Sequence, residues 1–230
     1  MTLYHGSPVH GIKTLVPNNS THGKYIYATS NKDIAIVMAA KYGDDALYSF
    51  GSMYKNGPYD LVERVAGVFD KIFANDFSLY TLDESNFKDI HTGFNEVVSE
   101  EEVDVISEEY YPNVFDEIKR IESEGRIKIY RYPDRPENKP IDDSDLVEKV
   151  RRNCELRFNE NTYNSLCRWI FLHPNLEDDI RLIANNKGLD LPSYDVIKES
   201  YIKSQNESPD KEYFLEEAAI MKDVCKQKGR

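Results

Sequence analysis

Three short stretches carry side chains whose types and spacing suit a reaction. The first is Tyr4-His5-Gly6-Ser7, at the end of a run that reads as a strand. Glycine there lets a ligand approach the backbone, so that its N–H and C=O can grip an amide. Histidine beside it offers a neutral donor or acceptor near physiological pH, although a structural histidine at a turn uses the same residues. The second stretch runs from Gly23 to Thr29 and on through Asn31, Lys32 and Ala35. Its Tyr27 ring can form a stacking wall for a ligand, or pack across neighbouring strands. The third is Asn95-Glu96-Val97-Val98-Ser99. A carboxylate opening a strand can point into a cleft, but ten further acidic residues up to Glu124 equally suit a solvated edge. Elsewhere, His10 and His91 fall in turns, His173 precedes Pro174 and reads as a helix cap, and Cys167 beside Arg168 reads as a packed thiol.

The elements that must position these groups follow from hydrophobic period and turn chemistry. Residues 2–5 read as a strand, 9–15 as a short helix and 25–29 as an aromatic, β-branched strand. A helix then follows, with Ser30 as N-cap and Asp33 as its capping-box partner, and with Ile34, Val37, Met38 and Lys41 at helical spacing. Pro58 suits the first turn of a helix whose apolar stripe is Leu61, Val62, Val65, Phe69, Ile72 and Phe73. Strands are expected over 77–82 and 127–132, a helix over 114–124, and 96–106 is divided between strand and turn. Pro133, Pro136 and Pro140 mark a linker, beyond which 142–158, 162–173, 176–186, 194–204 and 209–227 read as helices. The expectation is an α+β domain over 1–136 and an all-helical region over 137–230.

With 230 residues, 40% of them hydrophobic, the chain has enough apolar material for a real core, which excludes wholesale disorder. No apolar run approaches the roughly 18 residues of a membrane span, so no membrane partner is expected. Cys154, Cys167 and Cys225 form an odd set without metal-ligand spacing, which suits a reducing, cytoplasmic setting and no metal. A net charge of −12 argues against direct nucleic-acid binding. The charge is uneven: Glu96 to Glu124 holds eleven acidic and two basic residues, whereas Lys13, Lys24, Lys32 and Lys41 outnumber Asp33 in the first 41. An anionic ligand is best placed near the N-terminal segment.

Taken in order, the three stretches resemble the histidine–tyrosine–glutamate pattern of ADP-ribosyltransferases, in the diphtheria-toxin and poly-ADP-ribose polymerase branch. The resemblance covers roughly residues 2–135 and implies a split β-sandwich. It also implies NAD as co-substrate, with no metal, and a macromolecular acceptor, expected to be a protein. His5, Tyr27 and Glu96 would be catalytic. His5 would hold a ribose hydroxyl, the Gly6 backbone the nicotinamide carboxamide, Tyr27 the face of the nicotinamide ring and Glu96 the 2′-hydroxyl. Ser7 would complete the first NAD-contacting motif, and Lys13, Lys24 and Lys32 would be available to the pyrophosphate. The chain departs from the pattern at the second ring wall, where Met38 stands in place of an aromatic, with Tyr42 one turn later, and at Ala35, where the polymerases carry serine. Glu100, Glu101 and Glu102 are the alternatives to Glu96. A catalytically inactive protein of the same fold, binding NAD or a protein partner, is the other expectation. A 2′-phosphotransferase is disfavoured because the first 63 residues contain no arginine.

Overall fold

The computed structural model describes residues 2–19, 23–40, 45–52, 57–92, 94–156 and 162–207. It is a mixed α+β protein. The chain runs through β1 (Thr2–Ser7), β2 (Thr14–Leu15), β3 (Asn18–Asn19), β4 (Lys24–Ala28), α1 (Lys32–Met38), β5 (Tyr48–Gly51) and β6 (Tyr59–Glu63). It continues through α2 (Phe69–Ile72), β7 (Phe77–Asp83), β8 (Val97–Ser99), β9 (Val103–Tyr111), α3 (Val114–Ser123) and β10 (Ile127–Tyr130). The helices α4 (Asp145–Leu156), α5 (Thr162–Leu172), α6 (Glu177–Asn186) and α7 (Tyr194–Glu207) follow. One sheet has the order β1-β7-β9-β2, a second β10-β6-β5 and a third β3-β4-β8.

Two compact units emerge. The first comprises Met1–Gly43, Gly51–Leu61 and Gly67–Ile129, and the second Asp44–Phe50, Val62–Ala66 and Tyr130–Arg230. In the first, Leu3, Leu15, Ile26, Ala28, Tyr80, Leu82 and Val103 form a buried cluster. The helical sequences from α4 onward lie in the second unit, around Leu146, Val150, Leu166, Ile170, Ile180 and Ile197. The expected helix over 209–227 lies outside the described residues.

Two sequence expectations fail for identifiable reasons. Residues 9–15 are not helical. Their polar backbone groups are taken by side chains of the sheet instead: Tyr80 donates from its hydroxyl to the Val9 carbonyl (2.7 Å) and accepts from the Ile12 N–H (3.2 Å). The Gly11 N–H donates to Glu108 at 2.8 Å, with Gly11 at φ +71°. The stripe from Leu61 to Phe73 is a strand followed by the short α2. Residues 61–64 are all buried, which erases the alternation that marks a strand. One partner for that burial is Arg64, itself 1% exposed, whose guanidinium donates to Asp143 (2.5 Å) and in a fork to Asp145 (3.1 and 2.8 Å). Removing one partner of a buried ion network strands the other charges. Arg64→Ala is therefore expected to cost about 3–5 kcal/mol in urea denaturation, the scale for a broken buried pair. An unchanged midpoint would contradict this reading of the network.

Among the described residues, no helix is long and apolar enough to cross a membrane.

Candidate active site

β1 pairs along one edge with β7, in the register His5↔Tyr80 and Gly6↔Leu79. Antiparallel residues alternate between bonding one neighbour and the other. Tyr4 bonds away from β7: its N–H and C=O exchange hydrogen bonds with Thr29 at 2.8 and 3.0 Å. That single bridge ties β1 to the end of β4. Beyond it the two strands splay. His5 spans the gap, its Nδ1 lying 2.8 Å from the Tyr27 carbonyl oxygen. A carbonyl only accepts, so Nδ1 carries the proton and Nε2 of the neutral ring is left as an acceptor. Gly6 shares the parity of Tyr4, so its N–H and C=O are aimed into the split, where they meet no partner among the described residues.

β4 in turn pairs with β8 through Tyr27↔Val98 and Ala28↔Val97. Continuing that register by one residue brings Glu96 level with Thr29, beside the bridged end of the split. Ile26 and Ala28 turn into the core, leaving Tyr25 and Tyr27 on the opposite face as an edge-to-face pair, 6.2 Å between ring centres. The result is one cavity of about 330 Å3 lined by Tyr4, His5, Gly6, Tyr27, Ala28, Thr29, Ile34, Ala35, Met38 and Glu96. This is the lower end of the size range of small-molecule sites.

α1 supplies the far wall. Its N-cap is Asn31, not the expected Ser30: the Asn31 side chain accepts from the Asp33 and Ile34 N–H groups. Asp33 is ion-paired with Arg126 at 2.6 Å, which fixes the first turn. The helix lies so close to β1 that a Cβ on Gly6 would stand 2.0 Å from the Ala35 carbonyl oxygen and 2.9 Å from Ala39 Cβ. Gly6 thus serves close helix–strand packing and leaves an open backbone edge at the same time.

Of the residues singled out in the sequence, His5, Gly6, Tyr27, Met38 and Glu96 line the cavity together. Ser7 does not. It is buried, and its Oγ accepts from the Val9 N–H at 3.1 Å, a turn role rather than a ligand contact. Tyr42 lies outside the described residues. Glu100 pairs with Lys88 at 2.8 Å, and Glu101 and Glu102 are exposed, so Glu96 is the acidic residue of that run on the cavity. Its carboxylate is half-buried and has no hydrogen-bond partner among the described residues. Tyr4 and Thr29 also line the cavity, without a local sequence signal for that role. Only the strand register reveals them, because their backbones form the bridge at the base of the split.

His173 stands at the N-cap position of the short 3-10 turn Pro174–Leu176, and its N–H closes the end of α5 on the Trp169 carbonyl at 2.9 Å, but its side chain makes no cap bond. Its ring is buried and its Nε2 donates to the Ala46 carbonyl at 2.7 Å in the second unit. Cys154 and Cys167 are buried and not disulfide-bonded. Among the described residues no group of three or more His, Cys, Asp or Glu side chains is placed to hold a metal ion.

Burial pushes the His5 ring below the ordinary histidine value of 6.5, and the bond to Tyr27 only partly offsets it. As pH falls below 6.5 the unfolded chain takes up a proton that the folded ring refuses, so stability drops across that window. An NMR titration is expected to place the His5 midpoint below 6.5; a midpoint above it would mean that the bond to Tyr27 outweighs burial and would contradict a neutral ring near that pH.

Comparison with known proteins adds no relative: no protein-family model, no curated protein and no solved structure matches the chain.

Proposed function

We propose that the chain is an enzyme that transfers ADP-ribose from NAD to a macromolecular acceptor, releasing nicotinamide, on an ADP-ribosyltransferase-like split β-sandwich. The observation that carries this reading is the convergence of four unlike groups on one cavity. They are a neutral imidazole, an unpaired glycine backbone edge, a tyrosine ring and an unpaired carboxylate.

Each group suits one part of the reaction. The free N–H and C=O of Gly6 match the acceptor and donor of a primary carboxamide. The Tyr27 ring offers a face to the pyridine. The Nε2 of His5 accepts from a ribose hydroxyl and so fixes the sugar. Cleavage of the bond to nicotinamide leaves an oxocarbenium-like ribose, and Glu96 stabilises its developing positive charge. Being unpaired, that carboxylate has its negative charge available when the bond breaks. The sheltered thiols fit a reducing compartment such as the cytoplasm. A protein acceptor suits the exposed acidic residues of the β8–β9 turn, which would favour a basic partner.

A second reading, an NAD-binding module without turnover, is favoured by Met38. It is 44% exposed and gives the cavity a flexible thioether where a second ring would stack. Incubating the chain with NAD separates the two. The enzyme reading requires free nicotinamide to accumulate; tight NAD binding without it supports the module; no NAD binding removes both.

A further inference from the structure

The cavity accounts for a carboxamide, a ring and a ribose, but offers nothing for a diphosphate. Among its lining residues the one charged group is Glu96, an anion. A dinucleotide seated there needs a cation at the rim.

Lys32 opens α1, three residues after the Thr29 that closes the split. Its Nζ stands 5.7 Å from the centre of the Tyr4 ring, and Tyr4 lines the cavity. Among the described residues, neither Lys13 nor Lys24 makes a side-chain hydrogen bond, ion pair or cation–π contact with a lining residue. The ammonium is not committed to the core. It donates to both oxygens of Glu109, at 2.9 and 3.0 Å, and the two side chains are 39% and 46% exposed. An ion pair this exposed contributes little net free energy and exchanges readily. The Tyr111 hydroxyl donates to Glu109 at 2.9 Å, so the carboxylate keeps one partner when the lysine leaves.

We propose that Lys32 is the residue that selects a diphosphate-bearing dinucleotide for this cavity, leaving Glu109 to meet the diphosphate when the nicotinamide end is seated against Tyr27. The inference rests on the NAD reading given above. Glu109 acts as a competing internal anion: it holds Lys32 beside the Tyr4 ring when no ligand is bound and sets the threshold that an anionic ligand must exceed.

Calorimetric titration of the full chain with NAD and, separately, with nicotinamide riboside tests this, because the riboside has the ring and sugar but no phosphate. Lys32→Ala is expected to weaken NAD about tenfold, the scale of one lost charge-assisted contact, and to leave the riboside unchanged. Lys32→Arg is expected to restore NAD binding, Glu109→Gln to tighten it, and the salt dependence of NAD affinity to flatten in Lys32→Ala. Equal weakening of both ligands would mean that Lys32 merely positions Tyr4, and no weakening of either would mean it faces solvent. Both outcomes overturn the inference while leaving the NAD reading intact. Failure of the unaltered chain to bind either ligand overturns the two together.

Discussion

Glu96→Gln is expected to lower the rate of nicotinamide release from NAD by about 10²–10³-fold, with little effect on folding. The size follows from what the carboxylate does. A preorganised charge aimed at a centre that becomes charged only in the transition state is worth that much in rate when it is neutralised. Glutamine keeps the shape and can still contact the 2′-hydroxyl, so NAD binding should change much less than turnover. Folding is spared because, among the described residues, the carboxylate has no hydrogen-bond partner to lose. Glu100→Gln is the matched control: it breaks only an exposed pair with Lys88 and should leave turnover alone. Quantifying nicotinamide against time for the three proteins settles the point. Equal rates in the unaltered chain and Glu96→Gln would remove Glu96 from the reaction, and loss of turnover in Glu100→Gln instead would move the role along the run.

Why these residues were legible in the sequence, and others were not, has a physical basis. His5 and Tyr27 sit within the last three residues of β1 and β4, and Glu96 just before β8, and these stretches carry strong local signals: a glycine in β1, an aromatic run in β4, a β-branched pair in β8. What joins them is register, which one sequence does not encode locally. The Tyr4–Thr29 bridge and the Ala28–Val97 pair place Glu96 beside the split, and neither partner announces the other. The failed elements share a cause as well. Residues 9–15 have a helix-like apolar spacing, yet Tyr80 and Glu108, distant in the chain, take their backbone groups. The 61–64 run lost its strand period because every residue in it is buried, Arg64 included. The helices of the second unit were easier, since an amphipathic period of 3.6 survives without knowledge of the partner. The N-cap of α1 lies one residue beyond the expected Ser30. The side chain that reaches the Asp33 and Ile34 N–H groups is that of Asn31.

Gly6→Ala is expected to be the most damaging small substitution in the first unit, and it separates two reasons for a glycine. If Gly6 were there only to bare its backbone to a ligand, an added methyl would weaken binding and leave the empty protein stable. The geometry demands more. The methyl would meet the Ala35 carbonyl oxygen at 2.0 Å, and this oxygen belongs to the backbone of α1, so no rotamer change relieves the clash. Either α1 or β1 must move. Overpacking of this kind costs about 3 kcal/mol or the high end of its usual range, and about 2–4 °C of Tm accompanies each kcal/mol in a chain of this size. Gly51→Ala supplies the contrast, because a Cβ there meets nothing within 4 Å and φ is not positive, so the same change in β5 should be near neutral. Thermal melts of both variants without ligand give the stability difference, and titration with NAD gives the binding difference. Because β1 carries His5 and α1 carries Met38, any relief of the clash displaces one wall of the cavity from the other. Gly6→Ala should therefore lose NAD binding even at temperatures where it remains folded. A variant as stable as the unaltered chain in the absence of ligand would show that α1 has slack against β1, and the close approach could then no longer explain the glycine.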